Sequence, residues 1–341
     1  MPCLSSGVCV ELVSGTFPCS RIAAAAAKMS ASRRSFRESL SMRSDRVEEW
    51  LEVIVTRGYT SVLEHCVYSF EVVCSRVCSH QLVRHRIASY TQQSMRWSEG
   101  FARDTLLCTA SLLGVAVPER PESRDDYLAY SKLAMEAAAS LEGGSLSPRE
   151  ALRCARRGFI IPPSIAGGGE RLLVFLASVY RGLGGYYRLL YEGVPREDAR
   201  FAIPHAVKTR ILVTMNAREL LDVFFPLRLC TRAQWEIRSV AWLMLHELLS
   251  REPLLWRYAG PRCLRLSQLA GTPCTLAELL EERCPPGITR CPEGVPRHAI
   301  SGCVKSGLCS VWLQSAPENV IIDGQSGGFS PSGACSARKG V

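Results

Sequence analysis

The sequence predicts an α/β (α+β) fold, in which a few strands are interspersed among a larger number of helices. Three runs rich in β-branched and aromatic residues have the length and composition of strands: CVELVSGT (9–16), CVYSFEVVC (66–74) and VKTRILVTM (207–215). Longer segments with apolar residues at helical spacing lie between and after them. Hydrophobic residues make up 47% of the 341 residues, which suffices for the core of one large domain or two ordinary ones.

Periodicity and end signals predict the helices of the first half. SRIAAAAAKMS (20–30) forms one helix, and the next begins at a capping box of Asp45 and Glu48 and ends at Gly58. After the second strand, SRVCSHQLVRHRIA favours a helix. The polar run SYTQQSMR that follows is predicted to be a loop, where ligand contacts are common.

In the second half, helices are predicted near 125–141 and 170–192, with the linker EGGSLSP and the loop PPSIAGGGE between them. The third strand leads into a helix that Asn216 and Glu219 cap. A long helix capped by Thr231 and Gln234 then runs to about Ser250.

Arginine dominates the charge of the chain. Of the 41 basic residues five are lysines, so 36 are arginines, and with 32 acidic residues the formal net charge is +9. The planar fork of arginine matches phosphate and carboxylate groups, although genome composition or heat adaptation explains the global excess equally well. A basic nucleic-acid-binding protein is one alternative. Glutamates are interleaved with the basic residues and no aromatic-basic signature is present, so we expect no nucleic-acid partner.

The sequence has no run of eighteen apolar residues and no secretory signal, so we expect a cytoplasmic protein without membrane contact. Its sixteen cysteines are then expected to be free thiols or metal ligands, with disulfides as an alternative known from hyperthermophiles. Cys66, Cys74 and Cys78 fall within strand or helix patterns and are predicted to be small buried hydrophobes.

HQLVRHRIASYTQQSMRW (80–97) concentrates hydrogen-bond donors, with three arginines, two histidines and three glutamines in eighteen positions. Neighbouring side chains on a helix point about 100° apart, so Arg84, His85 and Arg86 are expected to surround a ligand with several anionic or carbonyl groups. A solvated helix end that matches the helix dipole is the alternative.

Four blocks of the sequence resemble the flavin-dependent thymidylate synthases, with archaeal members the most similar. RHRIASYTQQS resembles the family signature of Arg-His-Arg, seven residues and Ser. RGYTSVLEHCVYSFEV, GVPREDARFAIP, and VTMNARELL with LRLCTRAQWEIR supply further matches in family order, over roughly residues 18–250. The resemblance implies a curved, mostly antiparallel sheet flanked by helices, and a homotetramer with active sites between subunits.

The resemblance also implies the reaction. A FAD-dependent methyltransferase of this family converts dUMP to dTMP, with 5,10-methylenetetrahydrofolate as methylene donor and FADH2, recharged by NADPH, as reductant. Expected partners are dUMP, methylenetetrahydrofolate and further copies of the chain. An inactive or regulatory homologue of the family, and the nucleic-acid-binding protein considered above, are the alternatives.

The site residues are carried over from the family pattern. The positions at the flavin are Ser61, Arg84, His85, Arg86, Gln92, Asn216, Arg218 and Asp222. The positions at dUMP are Gln81, Leu82, Val83, Arg84, Gln92, Gln93, Ser94, Met95, Arg96, Arg200 and Arg228. Arg228 is assigned a catalytic role, because a guanidinium beside N3 and O2 of uracil raises the electron density at C5. Ser94 is expected to position the substrate, since the sequence shows no neighbouring base. No metal ligand is assigned.

Two departures from the family pattern lie near Arg228. Asp222 stands where an amide or imidazole is expected, and a carboxylate there disfavours a reduced anionic flavin unless it turns away. The interval from Asn216 to Arg228 is one residue longer than usual and contains Pro226, which is expected to kink the helix. We expect the Arg-His-Arg residues and Arg228 to come from different protomers.

The resemblance divides the chain into three parts. Residues 1–257 are expected to form the catalytic domain, with a variable insert at about 103–170. Residues 258–313 form a Cys-rich extension with little periodicity, and residues 314–341 a disordered tail. A zinc site, disulfides and an unstructured extension all remain open, since no CxxC pair occurs there. The cysteines concerned are Cys263, Cys274, Cys284, Cys291, Cys303 and Cys309.

Overall fold

A four-stranded antiparallel sheet carries the predicted strands, in a computed structural model that describes residues 1–284 and 291–312. The strands are β1 (Cys9–Gly15), β2 (Val67–Ser75), β3 (Ala88–Gln92) and β4 (Lys208–Asn216), in the order β1-β2-β4-β3. Met215 of β4 lies opposite Tyr68 on one side and Ala88 on the other. The predicted α+β class with antiparallel pairing is confirmed.

Helices make up most of the remaining described chain. Those before β4 are α1 (Cys19–Ser30), α2 (Phe36–Leu40), α3 (Ser44–Arg57), α4 (Arg76–Leu82), α5 (Gly100–Leu113), α6 (Arg124–Glu142), α7 (Pro148–Gly158), α8 (Pro163–Ala166), α9 (Glu170–Tyr191) and α10 (Arg196–Ala199). Those after β4 are α11 (Ala217–Glu219), a π-helical turn (Leu220–Phe224), α12 (Phe225–Arg228), α13 (Trp235–Arg251), α14 (Pro253–Trp256), α15 (Arg262–Leu269), α16 (Leu276–Leu280) and α17 (Ile300–Trp312). Short 3-10 turns are Thr60–His65, Arg200–Ala202 and Arg297–Ala299. Across the described residues, none of these helices has the length and apolar character needed to cross a bilayer.

The buried apolar residues fall into two clusters. The first joins the sheet to α1, α3 and α13, and it includes Leu264, Leu276 and Leu308 of the Cys-rich extension. The second lies among α5, α6, α7 and α9, and so occupies much of the predicted variable insert. The extension therefore shares the core of the sheet. The division at residue 257 stays a prediction, and the tail at 314–341 lies outside the described residues.

The predicted helix starts are partly wrong. Helix α3 begins after Arg43 without a side-chain cap, because Asp45 instead accepts a hydrogen bond from the side chain of Arg43. Helix α13 is capped by Gln234 itself, while the Thr231 hydroxyl lies 3.1 Å from the sulfur of Cys303. Gly58 ends α3 with a φ of 72°, as predicted.

Two stretches predicted to lack regular structure contain it. The first five residues after Ile87 form β3 rather than a loop, because their backbone pairs with β4, a partner that local sequence does not reveal. The Cys-rich extension contains α15, α16 and α17, each with an apolar face on the first cluster. Its helices are short, which is why their periodicity is weak in the sequence.

Cysteines are divided between disulfides and free thiols. The bridges that join two described residues are Cys3–Cys9, Cys108–Cys154 and Cys274–Cys284, and Cys309 is disulfide-bonded as well. Cys66, Cys74 and Cys78 are buried free thiols, as predicted. The alternative of an unstructured extension is wrong for the described residues 258–284 and 291–312, since they form helices and contain one of the bridges.

Candidate active site

Helix α4 organises the predicted ligand-binding residues. The hydroxyl of Ser75 caps its first turn by accepting the amide proton of Cys78, and the helix ends at Leu82. The Arg-His-Arg turn (84–86) follows at once, with the amides of Arg84 and His85 donating to the carbonyls of Gln81 and Leu82. The motif thus stands in a turn at the C-terminal end of a helix.

Tyr90 holds this turn in place. Its hydroxyl oxygen lies 2.8 Å from the carbonyl oxygens of both Leu82 and His85, so the single proton serves one of them at a time. Burial raises the pKa of Tyr90, so the phenol stays protonated and keeps this donor. The sequence interpretation left Tyr90 as packing. Its position two residues into a strand that pairs with β4 gives it this role.

His85 lies between the side chains of Glu219 and Arg228. The side chain is 5% exposed, and its ring meets Phe224 edge-on at 4.9 Å between centroids. Nδ1 lies 3.4 Å from a carboxylate oxygen of Glu219, and Nε2 accepts a hydrogen bond of 2.9 Å from Nε of Arg228. Nδ1 therefore carries the proton and Nε2 the lone pair, so Glu219 fixes the tautomer that orients Arg228.

Arg228 lies beside the Arg-His-Arg turn of its own chain, contrary to the expectation that the two come from different protomers. Its Nη2 is 3.5 Å from the carbonyl oxygen of Gln81, in addition to the bond to His85. The group is half-buried, and burial lowers the pKa of its guanidinium. Arg228 is thus held at a fixed angle with donors left over for a ligand.

The extra residue before Arg228 is absorbed by the π-helical turn Leu220–Phe224. Pro226 lies in the first turn of α12, directly after this wide turn, where its missing N–H is tolerated. The helix is irregular directly before Pro226, and Arg228 still reaches the motif despite the longer interval.

The carboxylate of Asp222 is turned toward the protein. Its Oδ1 accepts from Nε of Arg265 at 2.9 Å and lies 2.8 Å from Nη2, while Oδ2 accepts from the Thr60 hydroxyl at 2.6 Å. Arg265 is only 4% exposed and also donates to the carbonyl of Val55. The Cys-rich extension thus supplies a buried cation that offsets the charge of Asp222 beside the predicted flavin contacts.

Asn216 and Arg218 occupy the start of α11. The Asn216 side chain accepts the amide proton of Glu219 at 2.8 Å, which confirms the predicted cap, although the Glu219 carboxylate turns to His85. Arg218 is exposed and paired with Glu64, and its Nε lies 3.8 Å from Asp222. Ser61 is exposed in the neighbouring 3-10 turn.

A second group of arginines lies near Glu197. Nε of Arg96 is 3.2 Å from the Glu197 carboxylate, and Nε of Arg200 donates to the Glu197 carbonyl at 2.9 Å. Arg76 is close enough that burial and the charge of Arg200 lower its pKa. These cations outnumber the carboxylate, so the group favours an anion. The sequence interpretation did not single out Arg76, which has no motif of its own.

The remaining predicted dUMP positions differ in exposure. The amide of Gln92 donates to the hydroxyls of Ser79 and Thr209 at 3.0 and 3.1 Å, and that of Gln93 to Ser98 at 2.8 Å. Leu82 is buried, Val83 and Ser94 are exposed, and Met95 packs on the second cluster. The Ser94 oxygen accepts the Arg96 amide proton at 3.2 Å, which fits a positioning hydroxyl.

Arg84 and Arg86 are the exposed arginines of the motif. Among residues 1–284 and 291–312, no carboxylate pairs with either guanidinium, unlike Arg96 and Arg218. Unpaired guanidiniums beside a fixed imidazole and Arg228 define, on this α+β fold, an enzyme site for ligands with anionic groups.

Comparisons with known proteins identify the family. A profile described as "Thymidylate synthase complementing protein" matches residues 11–254. The flavin-dependent thymidylate synthase of Aeropyrum pernix is 45% identical over 308 residues, covering 88% of this chain and 93% of that protein. That of Sulfolobus acidocaldarius is 40% identical over 306 residues, covering 87% and 94%. The chain belongs to the flavin-dependent thymidylate synthase family.

The match with the Aeropyrum pernix protein covers 88% of the 341 residues of this chain. This is more than the 257 residues that precede the extension, so that relative shares part of the extension. Among solved structures, ThyX of Helicobacter pylori complexed with FAD and dUMP matches with a TM-score of 0.49 and 21% identity, covering 74% of this chain and 99% of that one.

Proposed function

We propose that this protein catalyses the reductive methylation of dUMP to dTMP, with 5,10-methylenetetrahydrofolate as methylene donor and FAD, reduced by NADPH, as cofactor. The observation that carries the proposal is the row of side chains Glu219, His85 and Arg228, which holds a guanidinium next to the turn of Arg84 and Arg86, two arginines that no described carboxylate pairs with. It stands within the part of the chain that matches the family profile.

The donor set fits a flavin dinucleotide. A pyrophosphate needs charge-assisted donors, and Arg84 and Arg86, which are exposed and have no carboxylate partner in the described part of the chain, offer them. Ser61 and Asn216 lie on the neighbouring segments, and Arg218 stands one turn from Asp222. When bound, the flavin supplies the reducing hydride. Asp222 does not oppose a reduced flavin, because Arg265 offsets its charge.

Arg228 is proposed to polarise the uracil ring. A fixed guanidinium near N3 and O2 stabilises negative charge on the ring, and each pKa unit gained corresponds to about 1.4 kcal/mol. The bond from Nε to His85 uses one donor and leaves the outer edge of the fork for the substrate. His85, 5% exposed, is a positioning residue in this arrangement.

Arg96 and Arg200 are proposed to bind the phosphate of dUMP. Both are held by Glu197, through its carboxylate and its carbonyl, so their side chains are oriented before the ligand arrives. Gln81, Gln92, Gln93 and Ser94 are proposed to complete the pocket.

A homotetramer with shared sites and a cytoplasmic location belong to the same proposal. In the single chain, large apolar side chains near the site face solvent: Trp97 is 81% exposed, Phe201 85% and Ile87 65%. Their exposure supports an interface at this part of the surface.

Absorption spectroscopy of the pure protein tests the proposal. The protein is expected to be yellow and to change its flavin spectrum when dUMP is added. Arg84→Ala is expected to lose flavin while still folding. Arg181→Ala is the control and is expected to keep the flavin, because it removes an exposed arginine of α9 that pairs with Glu142 of α6. A colourless protein that binds no added FAD contradicts the proposal. Binding of both ligands without dTMP formation supports the inactive homologue instead.

A further inference from the structure

Four cysteines surround one small cavity at the junction between the catalytic part and the extension. Cys230 follows α12, Cys263 lies on α15, Cys291 precedes the last 3-10 turn, and Cys303 lies on α17. The cavity they line measures about 20 Å³. A space of this size admits a single water molecule or ion.

All four thiols are free, although seven other cysteines in the described chain are disulfide-bonded. Cys263 and Cys291 are buried, and Cys230 and Cys303 are partly so. The rest of the wall is mainly apolar, with Leu229, Ile300 and Val304, and the carboxylate of Glu293 is also present. A disulfide framework uses such cysteines in pairs. Here four of them face a common space without pairing.

We propose that Cys230, Cys263, Cys291 and Cys303 form a four-thiolate metal site that fastens the C-terminal extension to the segment behind Arg228. Four cysteines that line one cavity offer the ligand set of structural zinc and of iron–sulfur clusters. The proposal does not depend on the proposed reaction, because it concerns only what the thiols bind.

The dimensions of the site leave the metal to be identified. Among the described residues, no three of these sulfurs lie within 4.8 Å of one another. Around a single tetrahedral zinc, with Zn–S bonds of about 2.3 Å, sulfurs are about 3.8 Å apart. The wider spacing favours a cluster of several iron atoms, whereas the cavity volume favours one ion. A zinc ion and an iron–sulfur cluster would both bind to the same four thiolates, and metal analysis distinguishes between them.

Another group of potential ligands does not qualify as an alternative. Cys74, Cys78 and Glu236 have ligand atoms within 4.8 Å of one another. Both carboxylate oxygens of Glu236 are already used, since one accepts from the Ser75 amide and the other from the Ser75 hydroxyl, each at 2.6 Å. Glu236 thus caps the start of α4.

The site has a defined place in the architecture. Cys230 is two residues after Arg228, and Cys263 is two residues before Arg265, which offsets Asp222. A metal that joins the two cysteines would fix both arginines relative to each other. Metal binding also displaces thiol protons, because burial raises the pKa of Cys263 to about 12 and raises that of Cys230.

Metal analysis of the full chain purified without oxygen tests the proposal. The expected result is either about one zinc per chain, or about four iron atoms with as much acid-labile sulfide. Cys263→Ser and Cys303→Ser are expected to lower this content at least about fivefold. Cys66→Ala, which removes a buried free thiol elsewhere, is expected to leave it unchanged.

Measurements on the unmodified protein keep the test independent of variant folding. Co²⁺ added to the metal-free chain is expected to produce thiolate-to-metal charge-transfer absorption, which flavin alone does not give. The proposal is overturned by only trace zinc and iron after reconstitution with either metal, by metal content that the two serine variants retain in full, or by a disulfide among the four cysteines in mass spectra of the anaerobic protein.

Discussion

The Arg-His-Arg turn and helix α15 both bring arginines to the segment between Asn216 and Arg228, but they use them differently. Arg84 and Arg86 are exposed and unpaired among the described residues, whereas Arg265 is 4% exposed and binds a carboxylate and a carbonyl of its own chain. A guanidinium that the protein leaves unpaired is available to a ligand. One that is buried with its acid has a structural role, so exposure and partners separate the two roles better than residue type does.

The largest effect is expected at Arg228, which combines both features. Arg228→Ala is expected to lower kcat/KM about a thousandfold, the loss typical of removing a preorganised group that stabilises developing charge. Arg228→Lys is expected to restore little, because lysine cannot donate to His85 and present a planar fork at once. Steady-state kinetics of dTMP formation measures this, and a loss of less than tenfold in the alanine variant contradicts the assigned role.

Arg265→Met tests the buried partner. It leaves Asp222 with only the exposed and more distant Arg218, and is expected to reduce the free energy of unfolding by about 3 kcal/mol, the lower end of the usual cost of breaking a buried pair. Flavin affinity is expected to fall with it. The double variant Arg265→Met/Asp222→Asn is expected to recover much of the loss in urea unfolding. If the double variant is as unstable as the single one, charge compensation is not the role of Arg265.

Lys208 is a partly buried cation, and no carboxylate of the described residues forms an ion pair with it. Its Nζ donates to the carbonyl of Arg156 at 2.6 Å, and burial, followed by the charge of Arg156, lowers its pKa to about 8 from 10.5, with Asp104 opposing. Between these pH values the unfolded chain binds more protons, so stability is expected to rise as the pH rises from about 8 to 10.5.

Lys208→Met removes this pH dependence. The variant is expected to be more stable than the parent by about 2 kcal/mol below pH 8, where the folded lysine is charged. Denaturant titrations at pH 7 and 10 measure the difference. If the free energy of unfolding changes equally with pH in both proteins, the pH dependence does not come from Lys208.

The smallest effects are expected at two predicted helix caps, of which the structure shows one. Asn216→Ala is expected to cost about 1 kcal/mol, since its side chain accepts the Glu219 amide proton. Thr231→Ala is expected to cost less than about 0.5 kcal/mol, because the cap of α13 is Gln234. Unfolding of the flavin-free proteins compares the two, and a larger loss for Thr231→Ala reverses the assignment of the cap.

Local patterns in the sequence predicted what depends on local chemistry. The strands at 9–16, 66–74 and 207–215, the helix end at Gly58 and the Asn216 cap all follow from neighbouring residues. The Arg-His-Arg motif was found because its residues are contiguous.

What the sequence did not predict depends on partners far along the chain. Strand β3 is polar and forms because β4 supplies its hydrogen bonds. Arg265 lies 43 residues after Asp222, and Cys230 joins cysteines from three later segments. Neither arrangement has a spacing that a motif could encode, so only the fold brings these groups together.

The π-helical turn at Leu220–Phe224 also acts as an angular spacer. One residue added to a regular helix rotates every later side chain by about 100° about the axis. Here the rotation is confined to five residues, and Val223 in the widened turn is exposed to solvent. A turn of this kind takes up one extra residue locally, and in this chain the guanidinium of Arg228 still reaches His85.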